Sequence, residues 1–336
     1  MNRELAHKVA DAVLYEGYML YPYRPTALKN RQRWTFGILY PPEYQEVRSG
    51  SERSQMHTEC LVEAGSDASV GIEFRFLQLV FRRTEPSAQP SLASEPSSCF
   101  GQELKERSDE GVERTVELEF SLNAKLQPID FRFPRPNQHE QPPDANTQRT
   151  SQTSANELRG KISVDTEVIR DGVWKLKIDV ANTSPLPISS LDRNSALRQS
   201  LLSAHMILTA SKANFISLLD PPQHLQNAAT ACVNVGNFPV LVGSNGERDM
   251  LLCSPILLYD YPQIAPESDG DFYDATEMDE MLTLRVMTLT DQEKDEMRLA
   301  EDRVRNLLQR TEQSAREQLM RTHGTIRGLR QIEETK

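Results

Sequence analysis

The densest set of hard oxygen donors lies in Glu267–Glu280, which reads ESDGDFYDATEMDE. Asp269, Asp271, Asp274 and Glu280 have the chemistry of a divalent-cation site. The twelve-residue calcium loop is not matched. Its fifth position would be Tyr273, and Asp274 stands where the sharp turn needs glycine. An irregular metal site is therefore one reading of this segment and a solvated acidic loop the other. A second concentration of chemistry lies between Leu14 and Tyr44. It holds six of the nine tyrosines and one of the two tryptophans, interleaved with Arg24, Lys29, Arg31 and Arg33. Aromatic and Arg side chains combine contact area with a polar handle, so they are over-used where a protein grips a partner. Tyr21, Tyr23, Arg24, Lys29, Arg31, Arg33 and Trp34 are the partner-binding residues this pattern picks out. Several other tyrosines of the stretch would pack the N-terminal helix onto a core.

Other chemistry finds little support. His57 and Cys60 are three residues apart, and in a strand that spacing puts them on opposite faces. Cys232 and Cys253 lie in apolar surroundings and read as buried small hydrophobes, while Cys99 lies in a polar linker. His224 follows Asp220 by four residues, and a capping Asp with a surface His explains the pair more simply than a general base. No GxSxG, GxGxxG or GxxxxGK[ST] pattern occurs, so no catalytic residue and no cofactor is assigned.

Composition narrows the class further. A net charge of −11 disfavours nucleic acid and anionic membranes as partners. The excess is local: Asp260–Glu301 holds 13 acidic residues against 3 Lys and Arg. Four separated cysteines without a CxxC suit a reducing cytoplasm. No apolar run is long enough to span a bilayer, and the N-terminus lacks the apolar stretch of a signal peptide.

These residues need a scaffold, and most of the chain has a period of two. Ile72, Phe74 and Phe76 alternate with Glu73 and Arg75, and a phase slip at Phe76–Leu77 predicts a bulge. Val116, Leu118 and Phe120 alternate with Glu117 and Glu119. The runs Lys161–Val168 and Trp174–Val180 flank Asp171-Gly172, a two-residue hairpin signal in which both turn positions would take positive φ. Met56–Glu63, His205–Leu219, Val233–Val242, Met250–Tyr259 and Met281–Leu289 are further expected strands. The fold class expected is mainly β, an antiparallel sandwich or barrel-like core. A short helix over about residues 2–15 precedes it, with Leu5, Val9 and Val13 on one face and Gly17 as its stop. One short internal helix would follow Asp220 as its cap, with Pro221 and Pro222 in its first turn. A long C-terminal helix would start at the capping box Thr290–Glu293. The expected organisation is one core over 1–289, with mobile Pro-rich loops 84–111 and 134–157, a helix over 290–324 and a tail over 325–336.

Several phrases combine into a resemblance. VADAVLYEGYMLYPYRPTALKNRQRWTFGILYPPEY, MHTECLVE, SLLDPP, LLCSPILLYDYPQIAPES and TEMDEMLTLRVMTLTDQEK together resemble an uncharacterised bacterial protein family often encoded beside nickel–iron hydrogenase genes. The resemblance implies an accessory or assembly role with hydrogenase subunits or maturation factors as partners, and it brings no site residues. The expected function is a non-catalytic interaction protein that docks a protein partner. A metal-binding chaperone or metal-dependent enzyme using the acidic loop, together with His57 and Cys60, is the alternative. Single-stranded nucleic-acid binding through 15–44 is the third reading.

Overall fold

A computed structural model describes residues 3–19, 21–24, 27, 30, 36–48, 52–86, 107–134, 138–140, 149–264, 273, 279–298, 300 and 302–313. The chain divides into two compact units, residues 1–18 with 32–263 and residues 19–31 with 264–336.

The larger unit is mainly antiparallel β, a nearly closed, barrel-like sheet. Its organising element is β1 (Gln55–Pro86), a strand of 32 residues. Along one edge, its first half pairs with β7 (Val173–Asn182) and its second half with β2 (Arg107–Ser121). The opposite edge pairs with β8 (Leu202–Ile216), and beyond it with β5 (Arg149–Ala155). The sheet therefore forks at β1. One arm continues through β6 (Leu158–Arg170) to β3 (Ile129–Phe133), and β8 leads to β10 (Met250–Ser254) and β9 (Phe238–Leu241). The short β4 (Gln138–Glu140) pairs with β5. Alternation decides which way each side chain points. Val70, Ile72, Phe74 and Phe76 of β1 meet Leu176, Ile178, Val180, Met206 and Leu208 in one core.

The expected bulge is present. Arg75 faces His205 and Leu77 faces Leu202, so Phe76 is opposed by two residues of β8. Ser203, one of those two, takes φ +50. The β6–β7 hairpin turns at Asp171-Gly172, but only Gly172 carries positive φ (+72). A register shift between Val168 and Arg170 supplies the remaining twist, which corrects the expected double positive-φ turn.

Seven helices occur among the described residues. α1 (Arg3–Tyr15) buries Ala6, Val9, Ala10 and Val13 against Ile207, Val240, Met250 and Leu252, and Gly17 follows at φ +69. Each of the two buried valines contributes about 2 kcal/mol to that contact. α2 (Pro42–Arg48), α3 (Arg193–Leu197) and α4 (Gln226–Thr230) are short, so the single internal helix of the sequence reading becomes three. Asp220 does not cap α4. A 3-10 turn at Gln223–Leu225 precedes that helix, with Pro222 ahead of it and no side-chain cap. The Asp220 N–H instead donates to Ser217 Oγ.

The smaller unit holds α5 (Asp279–Met287), α6 (Asp291–Arg298) and α7 (Asp302–Gln313). The strand expected over Met281–Leu289 is thus a helix. Its buried residues Leu282, Val286 and Leu289 follow a spacing of four and three, while Met281, Leu284 and Met287 are exposed. The dense apolar run admits both periods, and the helical one sets the burial. The capping box is formed as expected: Glu293 N–H donates to Thr290 Oγ1, and Thr290 N–H donates to Glu293 Oε2. The expected single C-terminal helix is represented by α6 and α7, and 314–336 lies outside the described residues. The loop expected over 134–157 contains β4 and all of β5, and the loop expected over 84–111 gives residues 84–86 to β1 and 107–111 to β2, so part of each is sheet. Residues 87–106 and 141–148 lie outside the described set.

Candidate functional site

The sequence-predicted docking residues sit in two places. Tyr15, Tyr18, Tyr40 and Tyr44 are buried in the larger unit. Tyr21, Tyr23 and Arg24 belong to the smaller unit, where Tyr23 is fully buried. Arg24 meets Glu293 at 3.2 Å and Glu296 at 3.7 Å, and Arg285 lies 5.4 Å above the Tyr21 ring. Lys29, Arg31, Arg33 and Trp34 lie outside the described residues, as do Asp269, Asp271 and Asp274. Glu280 falls in the first turn of α5. Among the described residues, no three His, Cys, Asp or Glu side chains gather as a metal site.

His57 and Cys60 do point to opposite faces. Cys60 is in the core, where burial raises its thiol well above the ordinary value. Cys253 is likewise pushed up to about 12 and Cys232 to about 11, so neither is a thiolate at neutral pH. His57 Nδ1 lies 2.8 Å from Asp179, and Nε2 lies 3.6 Å from Glu59. Burial pushes the Glu59 carboxyl up, but the Val233 N–H at 2.9 Å and Lys175 at 3.4 Å outweigh it and hold Glu59 below its usual value. This cluster bridges β1 to the segment that leads into β9. His57 and Val235 exchange backbone hydrogen bonds, and the Asn234 and Asn237 side chains bond the β1 backbone on either side. His224 is exposed and has no part in it.

A site with room for a ligand lies beside α1. A groove of about 560 Å³ runs between that helix and the outer face of β1, β2 and β8. Its walls carry Arg3, His7, Glu73, Glu117 and Glu119, and its floor is small and polar, with Ser69, Gly71, Thr209 and Ser211. A Cβ on Gly71 would stand 2.6 Å from Thr209 Oγ1, so glycine keeps this floor low. Register assembles the carboxylates. Glu73 lies directly opposite Glu117, and Gly71 opposite Glu119. Like charges placed directly across an antiparallel pair repel. Glu73 is shared by His7 at 3.4 Å and Arg75 Nε at 3.7 Å, and Glu119 accepts from Ser69 Oγ at 2.8 Å. Glu117 has no ion pair among the described residues.

One residue pair further along the same face, the groove gives way to a buried polar knot. Arg75 is 6% exposed and His205 fully buried, and the two are cross-strand partners. Arg75 Nη2 donates to Asp11 at 2.6 Å and approaches Glu113 at 3.7 Å, and Tyr15 donates to that same Glu113. His205 Nδ1 lies 2.7 Å from the carbonyl of Ser203, the positive-φ bulge residue, which sets the ring's tautomer. Burial lowers His205 to about 4, the Ser203 carbonyl offsetting part of the effect, so the ring is neutral at pH 7. The knot ties α1 to the sheet and so fixes one wall of the groove.

These acidic residues were visible in the sequence only as the solvated face of two strands. What unites them is the pairing of β1 with β2, across more than forty residues of chain. No family model matches the chain, and a search of curated proteins returns no match.

Proposed function

We propose that the chain is a non-catalytic interaction protein that holds a Lys- and Arg-rich segment of a protein partner in the groove beside α1. The opposed pair Glu73 and Glu117 carries this reading. Two carboxylates face each other in a groove of about 560 Å³, with Glu119 one pair further along β2. An incoming cation relieves that repulsion, which gives a basic side chain differential affinity for the site. The overall charge of −11 favours encounter with a basic surface. The resemblance to the hydrogenase-linked family supplies a class of partner, a hydrogenase subunit or maturation factor. The nucleic-acid reading has less support, because Tyr15, Tyr18, Tyr23, Tyr40 and Tyr44 are buried and offer no stacking surface.

The test is fluorescence anisotropy with a labelled Lys/Arg-rich peptide, against its Asp/Glu counterpart. The basic peptide binds and its affinity falls as salt rises, and the combined variant Glu73→Gln, Glu117→Gln, Glu119→Gln weakens it at least tenfold. Equal binding of the two peptides, or of the variant, would refute the reading.

A further inference from the structure

The inner face of the same strand carries a different feature. Along β2, the residues turned inward are Val112, Arg114, Val116, Leu118 and Phe120, so Arg114 is the one cation in an apolar row. It is the cross-strand partner of Phe76. Its Nε–H donates at 2.8 Å to Oε1 of Gln78, which is itself fully buried and donates at 2.7 Å to the Asn156 carbonyl. Its guanidinium carbon lies 5.5 Å from the centre of the Phe133 ring. Among the described residues no carboxylate pairs with it. Arg75, Arg159, Lys175 and Lys177 on the same sheet each meet one. Burial holds Arg114 below the usual guanidinium range, and no carboxylate acts against that shift. In a chain with 49 acidic residues, this half-buried arginine has an amide and a ring as its partners among the described residues, and it retains donors for an anion.

The surroundings are apolar and half open. Among the described residues β2 pairs only with β1 and β3 only with β6, so β2 and β3 meet through side chains and not through a backbone ladder. Phe131, Phe133, Val116, Leu118 and Leu126 pack against the core yet stay partly exposed at this mouth. Phe76 and Phe131 lie 5.4 Å and 6.2 Å from Phe133. Gly160 seats the Phe131 ring, since a Cβ there would stand 2.1 Å from it. From Arg114 to Leu118 the inward row runs about 13 Å. An apolar row of that length ending in a guanidinium with no carboxylate partner among the described residues matches a molecule with a hydrocarbon or aromatic body and a carboxylate head. The planar fork donates two parallel hydrogen bonds to such a head.

We propose that the mouth between β2 and β3 binds a small apolar carboxylate, with its head on Arg114 and its body along Phe133, Val116 and Leu118. The acidic groove is built on the other face of β2, with Glu117 and Glu119, and reaches Leu118 from that side. Isothermal titration of the full chain with decanoate tests it, with decanol as the neutral control. Decanoate binds saturably at one per chain and decanol at least tenfold more weakly. Arg114→Met loses decanoate affinity at least tenfold while its circular dichroism is unchanged, Arg114→Lys falls between, and Phe133→Ala weakens both probes. Absence of saturable decanoate binding would overturn the proposal. So would equal affinity for decanol, or Arg114→Met binding like wild type, which would place the ligand elsewhere.

Discussion

The two faces of β2 present opposite chemistry on one backbone. Outward, Glu117 and Glu119 join Glu73 in a wet groove with a small polar floor. Inward, Arg114 stands alone among Val116, Leu118 and Phe133 at a half-open apolar mouth. The difference shows how a period of two lets adjacent residues of one strand serve separate binding sites. It also shows two ways of leaving charge unbalanced. In the groove, like charges are concentrated where water still reaches them. At the mouth, a single charge is half withdrawn from water with no carboxylate partner among the described residues.

The largest expected contrast between the regions is steric. Gly160→Ala drives a methyl into the Phe131 ring and costs about 3 kcal/mol in urea unfolding. Gly71→Ala meets only the rotatable Thr209 hydroxyl and costs about 1 kcal/mol. Comparable losses at both glycines would show that the mouth is no more tightly built than the groove.

Nearly as large is a pH effect confined to the groove side. His205 is neutral in the fold down to about pH 4, whereas the unfolded chain binds its proton near pH 6.5. The unfolded state therefore gains a proton first, and stability falls as pH drops from 6.5 to 4, by about 3 kcal/mol. His205→Gln should remove that slope, seen as the difference between its pH–stability curve and that of wild type. Parallel curves would mean the ring is charged, or solvated, in the folded state.

A smaller effect distinguishes the arginines. Arg75→Met breaks the link of α1 to Asp11 and Glu113 and lowers stability by about 2 kcal/mol. Arg114→Met removes a half-buried cation without a carboxylate partner among the described residues but orphans the buried Gln78 Oε1, so ligand-free stability falls by about 1 kcal/mol. A loss as large as that of Arg75→Met would mark Arg114 as a structural residue. Smallest of all, Ser203→Gly relieves the positive φ at the bulge and changes thermal stability by less than about 1 kcal/mol.

Local signals were legible in the sequence where one neighbour decides the outcome. The Asp171-Gly172 hairpin, the slip at Phe76–Leu77, the stripe on α1 and the Thr290–Glu293 box all depend on residues within one turn or pair. α5 was misread because Met281–Leu289 is apolar enough to fit both periods, and burial of Leu282 and Val286 comes from tertiary packing. Asp220 failed as a cap because Ser217 draws its backbone into an earlier turn. Glu73, Glu117 and Glu119 were readable as an acidic face, but not as one site, since their meeting is set by strand register. Arg114 could have been found as the polar break in Val112–Phe120. Its partners, the Phe133 ring and the Gln78 amide, become visible only in the fold.

The most direct measurement titrates a Lys/Arg-rich peptide and decanoate, separately, into wild type, the triple glutamine variant of Glu73, Glu117 and Glu119, and Arg114→Met. Each variant should lose one ligand and keep the other: the triple variant loses the peptide, and Arg114→Met loses decanoate. Joint loss of both ligands in either variant, or retention of both in each, would contradict two independent sites on opposite faces of β2.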